Sequence, residues 1–378
     1  MRITMATKYY PPVVGGIESH VRDLSEALVS AGHHVRVICS NTEHLFAQEV
    51  INGVEVIRLP RVTEQVATPL ARHYGKALGY EARHCDVMHF HFPYPWGEFQ
   101  WLFEPAIRNT PYVVTYHTDI VRQKKALSMY QPFLKRFLNK ANLIMASSPQ
   151  LIEYSEYLNP LEKKCRQINF GLNLDHIADN EDAIKRGEEL KMSLSSARPI
   201  VLFTGRLVYY KGVDVLIDSM PYVDAEYAVI GSGPLEEEMR SRAKELGVSD
   251  RLHMMGRVSD EDLAAWYHAA DVFALPSVET SEAFGLVQIE SHGAGTPVVS
   301  TLLESGVPYA NLDGVTGFSV EVGSHEALAE GINKILADPK LAKKLGAQAK
   351  KRALTEFSIP KMVDEVLEMY REAFDSND

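Results

Sequence analysis

A chain of 378 residues exceeds what one hydrophobic core ordinarily serves, so two domains are the starting expectation. Its apolar and charged fractions, 46% and 24%, are those of an ordinary globular protein, and no apolar run approaches the roughly 18 residues of a membrane span. A net charge of −11 argues against a general nucleic-acid binder, and three scattered cysteines (Cys39, Cys85, Cys165) exclude a disulfide framework or a zinc ligand set.

The acidity is uneven. Residues 1–175 hold 19 basic and 16 acidic side chains, whereas the remainder holds 20 and 34. The more basic N-terminal part suits an anionic surface or acceptor. The cysteines read as buried thiols of a reducing cytosol. The start of the chain enters a strand directly, without the regions of a signal peptide, so a cytoplasmic setting is expected.

In chain order, Arg2–Ala6 reads as a strand and Thr7–Gly16 as a loop. A helix from about Ile17 to Ala31 follows, ended by Gly32. With the next strand, His34–Cys39, this order opens a doubly wound parallel sheet whose ligands sit at the carboxyl ends of strands. Val54–Arg58, Val87–His91, Tyr112–Tyr116 and Leu143–Ala146 complete a first domain of residues 1–175. Residues 176–198 are polar and read as a linker region with a helix near Ala183–Leu194. Strands near Ile200–Thr204, Glu226–Ile230, Arg251–Met255, Val272–Leu275, Pro297–Ser300 and Gly317–Val320 alternate with helices in a second domain, 199–357. A terminal helix spans about Ile359–Phe374.

Residues 121–141 carry Arg122, Lys124, Lys125, Lys135, Arg136 and Lys140, and no acid occurs from Ile120 to Ile152. Leu127, Tyr130, Leu134, Phe137 and Leu138 share one helical face. Two readings stand: a basic amphipathic helix resting on an anionic membrane surface, or a core-packed helix with a solvated cationic back. Pro132 is expected to break or kink it.

Two stretches carry chemistry. Thr204-Gly205-Arg206-Leu207 and Lys211-Gly212 follow an apolar strand and place two cations where a diphosphate would sit, Arg206 as a fork and Lys211 as a point charge. Glu282 and Glu290 stand eight residues apart around Phe284-Gly285. Read as one helix of two turns, this spacing puts both acids on one face, roughly 12 Å apart. Gly285 admits close backbone approach, and a helix start there aims N–H groups at negative charge. Gly15-Gly16 before the first helix is either a plain turn or a phosphate loop.

Taken together, Gly15-Gly16-Ile17-Glu18, Gly205-Arg206 with Lys211-Gly212, and Glu282-x7-Glu290 resemble the retaining glycosyltransferases of family 4. The resemblance covers nearly the whole chain. It implies the GT-B architecture: two Rossmann-like domains facing a cleft, with the C-terminal helix crossing back to the first. It also implies a nucleotide-sugar donor, held mainly by the second domain, as co-substrate. Arg206 and Lys211 would neutralise the departing diphosphate, each such group being worth about 3 kcal/mol in the transition state. Gly16 would add backbone N–H groups, Glu290 would hold the ribose diol, and Glu282 with the backbone of Phe284, Gly285, Leu286 and Val287 would hold the sugar. Val258 stands where the family reads the base. His117 matches a histidine that the family keeps near the donor sugar. Asp119 would orient the acceptor or the imidazole, and Tyr9 and Tyr10 would line an acceptor site or simply pack.

Retention would follow from front-face attack, the leaving phosphate oxygen taking the acceptor proton. The run Val113–Lys124 resembles bacterial mannosyl- and rhamnosyltransferases of polysaccharide assembly. That favours GDP-mannose as donor over a UDP-hexose, and a saccharide or lipid-linked acceptor at the inner membrane face. An epimerase of the same architecture and a non-catalytic binder are the alternatives.

No metal or other cofactor is expected. His89-Phe90-His91 has ligand-like spacing, but the sequence shows no third ligand. Asp260-Glu261-Asp262 follows Ser259 and reads as a helix cap. Gly231-Ser232-Gly233 lacks the third glycine of a dinucleotide fingerprint.

Overall fold

The computed structural model describes residues 1–13, 15–65, 68–119, 124–194 and 198–375, the side chains of 65 and 124–129 excepted. The chain divides into two units, Met1–Gly171 with Ile359–Asp378, and Leu172–Ser358.

The first unit holds β1 (Arg2–Ala6), β2 (His34–Ser40), β3 (Ala47–Ile51), β4 (Val54–Leu59), β5 (Arg61–Gln65), β6 (Thr68–Ala71), β7 (Val87–Phe92), β8 (Tyr112–Tyr116), β9 (Leu143–Ala146) and β10 (Cys165–Gln167). Eight form one sheet in the order β10-β9-β8-β7-β1-β2-β4-β3, and β5 pairs with β6 apart from it. Parallel neighbours need a crossover, which the Gly16–Ser30 helix supplies between β1 and β2. All six residues of β7 are buried, so its sequence does not alternate. Strand β3 adds to the expected set: it is the antiparallel arm of a hairpin turned by Asn52-Gly53, both at positive φ (50° and 84°).

The helix Lys124–Lys140 passes through Pro132 instead of breaking there. Leu134, Phe137 and Leu138, just after the proline, are fully enclosed and hold that half in the core. Lys135, Arg136 and Lys140 are exposed. Arg122 and the side chains of Lys124, Lys125 and Leu127 lie outside the described residues. The Ile359–Asp375 helix belongs to this unit, and Asn142 donates to the Ala373 carbonyl at 3.2 Å.

The second unit holds β11 (Ile200–Thr204), β12 (Glu226–Ile230), β13 (Leu252–Gly256), β14 (Val272–Leu275), β15 (Val298–Thr301) and β16 (Gly317–Val320). They pair in parallel in the order β13-β12-β11-β14-β15-β16. Alternate residues of β11 enter different cores: Val201 and Phe203 join Leu216 and Ile332, while Ile200 and Leu202 join Trp266 and Phe273. Both faces are therefore covered, as in doubly wound sheets. Residues 176–198, expected as a linker region, lie within this unit. Their helix, Glu181–Leu194, is tied down by Lys191, which pairs with Asp271 at 2.6 Å. No helix among the described residues is long and apolar enough to cross a membrane.

Candidate active site

In the second unit Gly205, Arg206, Lys211, Val258, Glu282, Phe284 and Gly285 stand between the carboxyl ends of β11, β13 and β14 and the next elements, and Leu286, Val287 and Glu290 on the helix that follows Gly285. The Gly205–Lys211 loop after β11 is stitched to its neighbours: Leu207 N–H donates to Ser232 O at 3.1 Å, and Val278 N–H to Tyr210 O at 2.8 Å. Gly231-Ser232-Gly233 thereby has a structural role. A Cβ at Gly231 (φ 134°) would lie 1.9 Å from Gly205 O, so only glycine lets the two loops meet. Arg257 donates to Ser232 Oγ at 3.2 Å, which ties in the loop after β13 that carries half-buried Val258.

The two cations differ. The Lys211 ammonium is buried and ion-paired with Glu282, which also accepts from Ser277 Oγ at 3.1 Å. The Arg206 side chain is exposed and makes no ion pair among the described residues. A held lysine and a free guanidinium at one strand end can receive an anion without first breaking the surface apart.

The reading of Glu282 and Glu290 on one helical face is corrected. The helix spans Leu286–Ala294 and starts after Gly285 in the left-handed region (φ 71°). Glu282 lies in the bend before it, turned back to Lys211, because the reversal at Gly285 breaks the helical register. A Cβ at Gly285 would press on Leu275 and Gln288 at 2.6 and 2.8 Å. Gly285 at the N-cap has no side chain to cap this helix, so among the described residues the amides at Leu286 and Val287 stand at an open helix start. Phe284 is enclosed against Tyr309 and Phe357 and anchors the bend. Glu290, on the helix, accepts from Tyr267 Oη at 2.5 Å; burial raises its carboxyl above the ordinary range, Tyr267 opposing and Asp260 adding. Ser259 caps the Asp260–Ala269 helix by accepting from Asp262 N–H at 3.1 Å.

In the first unit, Gly15 precedes the Gly16–Ser30 helix, and a Cβ at Gly16 would meet nothing within 4 Å. No packing demand explains Gly16, in contrast to Gly231. Tyr9 donates to Glu64 at 3.3 Å and Tyr10 is fully enclosed, so of the two readings for Tyr10 the structure favours packing. Asp119 accepts from Tyr116 Oη at 2.5 Å and Ser155 Oγ at 2.8 Å, a pair of bonds that fixes the loop after β8.

His117 follows β8 and is buried. His91 on β7 and His20 on the Gly16–Ser30 helix close around it, with one ring nitrogen of each within 4.8 Å of the others. The third histidine that the sequence did not show is thus His20, brought in by the crossover helix, while His89 is engaged elsewhere: its nitrogens lie 2.6 Å from Tyr370 Oη and from Thr115 Oγ1. Burial pushes His20 and His89 down to about 3 and His91 and His117 well below the ordinary value, with the neighbouring imidazoles adding for His89, His91 and His117. Neutral imidazoles at this spacing are the ligand type of a borderline divalent cation. Ligating histidines ordinarily pass their other N–H to an acceptor, however, and both nitrogens of His20 and Nε2 of His91 have none. The trio therefore fits a metal poorly.

Comparison with known proteins bears on both units. The family model for "Glycosyltransferase Family 4" matches residues 14–176 and that for "Glycosyl transferases group 1" matches 187–352. The chain is 32% identical to the D-rhamnosyltransferase WbpZ of Pseudomonas aeruginosa over 91% of its length and 88% of that protein's. It is 28% identical to the O-antigen chain mannosyltransferase C of Escherichia coli over the full length of both. A sucrose-phosphate synthase from Thermosynechococcus elongatus superposes with a TM-score of 0.80 at 25% identity, covering 99% of each chain. The chain belongs to glycosyltransferase family 4, the group 1 glycosyl transferases, and has their α/β GT-B fold.

Proposed function

We propose that this glycosyltransferase moves mannose from GDP-mannose, with retention and without a metal, to a saccharide or lipid-linked acceptor in cell-surface polysaccharide assembly. The observation that carries the reading is the loop cluster of the second unit. There the Lys211–Glu282 ion pair, exposed Arg206 and the uncapped start of the Leu286–Ala294 helix share the carboxyl ends of one parallel sheet. Arg206 and Lys211 stabilise the departing diphosphate, and the helix amides at Leu286 and Val287 with Glu282 hold the sugar. Glu290 keeps one carboxylate oxygen for the ribose hydroxyls while Tyr267 holds the other. In the first unit, the role proposed for Gly16 is a backbone N–H contact to phosphate and that for His117 a contact to the donor sugar. The mannosyl and rhamnosyl transfer named for the two relatives supports the sugar class.

The acceptor reading places the protein in the cytoplasm, peripheral at the inner membrane face. It draws on exposed Lys135, Arg136 and Lys140, with Phe99 and Phe103 exposed on a neighbouring helix and Phe99 touching Phe133.

A thermal-shift panel tests the donor: GDP and GDP-mannose should raise Tm more than UDP and UDP-hexoses, since a ligand stabilises by RT ln(1+[L]/Kd). A preference for uridine nucleotides overturns the donor. Transfer should persist in EDTA; loss restored by Mg2+ or Mn2+ overturns the metal-free reading. Inverted product stereochemistry by NMR overturns retention.

A further inference from the structure

We propose that His91 is a positioning residue that fixes His117 as the Nδ1–H tautomer, so that His117 offers its substrate a hydrogen-bond donor. This rests on the reading of His117 as a contact to the donor sugar.

The two imidazoles stack at 5.6 Å between centroids, and His91 Nδ1 lies 3.3 Å from His117 Nε2. Burial keeps both neutral. One proton therefore lies between them, and its owner decides what His117 shows on its other side. If His91 Nδ1–H donates, His117 carries its own proton on Nδ1, and the enclosed, unpartnered Nε2 of His91 is a bare lone pair. If His117 Nε2–H donates, His91 must carry its proton on that enclosed Nε2. An N–H is then orphaned in the core, the rarer and costlier state.

Among the described residues the neighbours leave the pair no other outlet. His89 stacks on His91 at 4.4 Å but spends both nitrogens on Tyr370 and Thr115. His20 meets His91 and His117 edge-on at 5.7 and 5.2 Å and bonds to neither. Nδ1 of His117 has no partner among the described residues, yet it is not one of the fully enclosed orphan atoms. The small exposed part of His117, 6% of the residue, therefore includes that atom. A hydroxyl arriving there meets a donor.

A free neutral histidine side chain prefers the Nε2–H form, so the proposed state is the uncommon one and can be read directly. In protein labelled with 15N only at histidine rings, the His117 signals of the donor-free wild type should show a protonated Nδ1 and a bare Nε2. His91→Phe should return His117 to the Nε2–H form and lower kcat by roughly tenfold, the value of one substrate hydrogen bond, with KM for the donor little changed. His91→Asn, whose amide nitrogen can take the place of Nδ1, should restore most of the rate. An Nε2–H His117 in the wild type, which needs no variant to fold, overturns the proposal alone. So does wild-type kcat in His91→Phe. Full transfer by His117→Ala overturns it together with the donor-contact reading.

Discussion

Tyr267 on the Asp260–Ala269 helix donates its hydroxyl to Glu290 on the Leu286–Ala294 helix across 2.5 Å. The bond holds one carboxylate oxygen, and the second has no partner among the described residues. In the proposed donor contact, ionised Glu290 is the form that would accept from ribose hydroxyls. Because burial raises its carboxyl, donor binding should fail on acidification at a higher pH than for an ordinary glutamate. Tyr267→Phe removes the opposing bond, so the acid limb of kcat/KM should move further up in pH and KM for the donor should rise several-fold. A limb unmoved by the substitution separates Glu290 from donor binding.

Arg206 and Lys211 should respond alike in rate and differently in stability. Alanine at either position is expected to lower kcat/KM by about 100-fold or more through lost transition-state stabilisation. Arg206 is exposed, so Arg206→Ala should keep the wild-type Tm. Lys211→Ala leaves Glu282 enclosed without its counter-charge and should cost on the order of 3 kcal/mol in denaturant unfolding. Adding Glu282→Gln should recover part of that stability and none of the activity.

Glu98 in the first unit is enclosed, and burial raises its carboxyl to about 8. A folded value above the unfolded one means the folded state binds the proton more tightly. Its contribution to stability is full below the unfolded value and is lost as pH rises through the folded value, at up to about 1.4 kcal/mol per pH unit. Tyr94 N–H donates to Glu98 Oε1 at 2.7 Å, a bond that glutamine can keep. Glu98→Gln should therefore gain in Tm over the wild type as pH rises from 5 to 8. Parallel pH profiles for the two proteins would refute the shift.

Lys135, Arg136 and Lys140 stand exposed on the Lys124–Lys140 helix. Leu134, Phe137 and Leu138 are spent in the core, so the described part of this helix can meet an anionic bilayer only through charge. Each surface cation is worth ~1 kcal/mol there, and salt screens it within a Debye length. Lys135→Glu, Arg136→Glu and Lys140→Glu together should abolish sedimentation with anionic vesicles, and added salt should mimic the change. Nucleotide binding should stay as in the wild type. Equal partitioning to neutral and anionic vesicles would leave the helix as scaffold.

The sequence by itself determined the elements that rest on local patterns. Apolar runs bounded by glycine, proline and polar residues located most strands, and three short motifs in order located the family. The Ala47–Ile51 strand has the Asn52-Gly53 turn to mark it, but it is only five residues long, and Gln48 and Glu49 interrupt its apolar pattern. Tertiary structure decided what depends on residues far apart in the chain. Spacing alone put Glu282 and Glu290 on one helical face; one left-handed glycine instead turns Glu282 back to Lys211, 71 residues away. Pro132 signalled a broken helix, and burial of the three apolar residues after it overrode that local preference. His20, His91 and His117 lie on a helix and at the ends of two strands, and no spacing announces them. They meet because parallel strands require a crossover, and the crossover lays its buried face against the strand ends; a ligand-spacing search along the chain cannot see a contact that exists only once the sheet has formed.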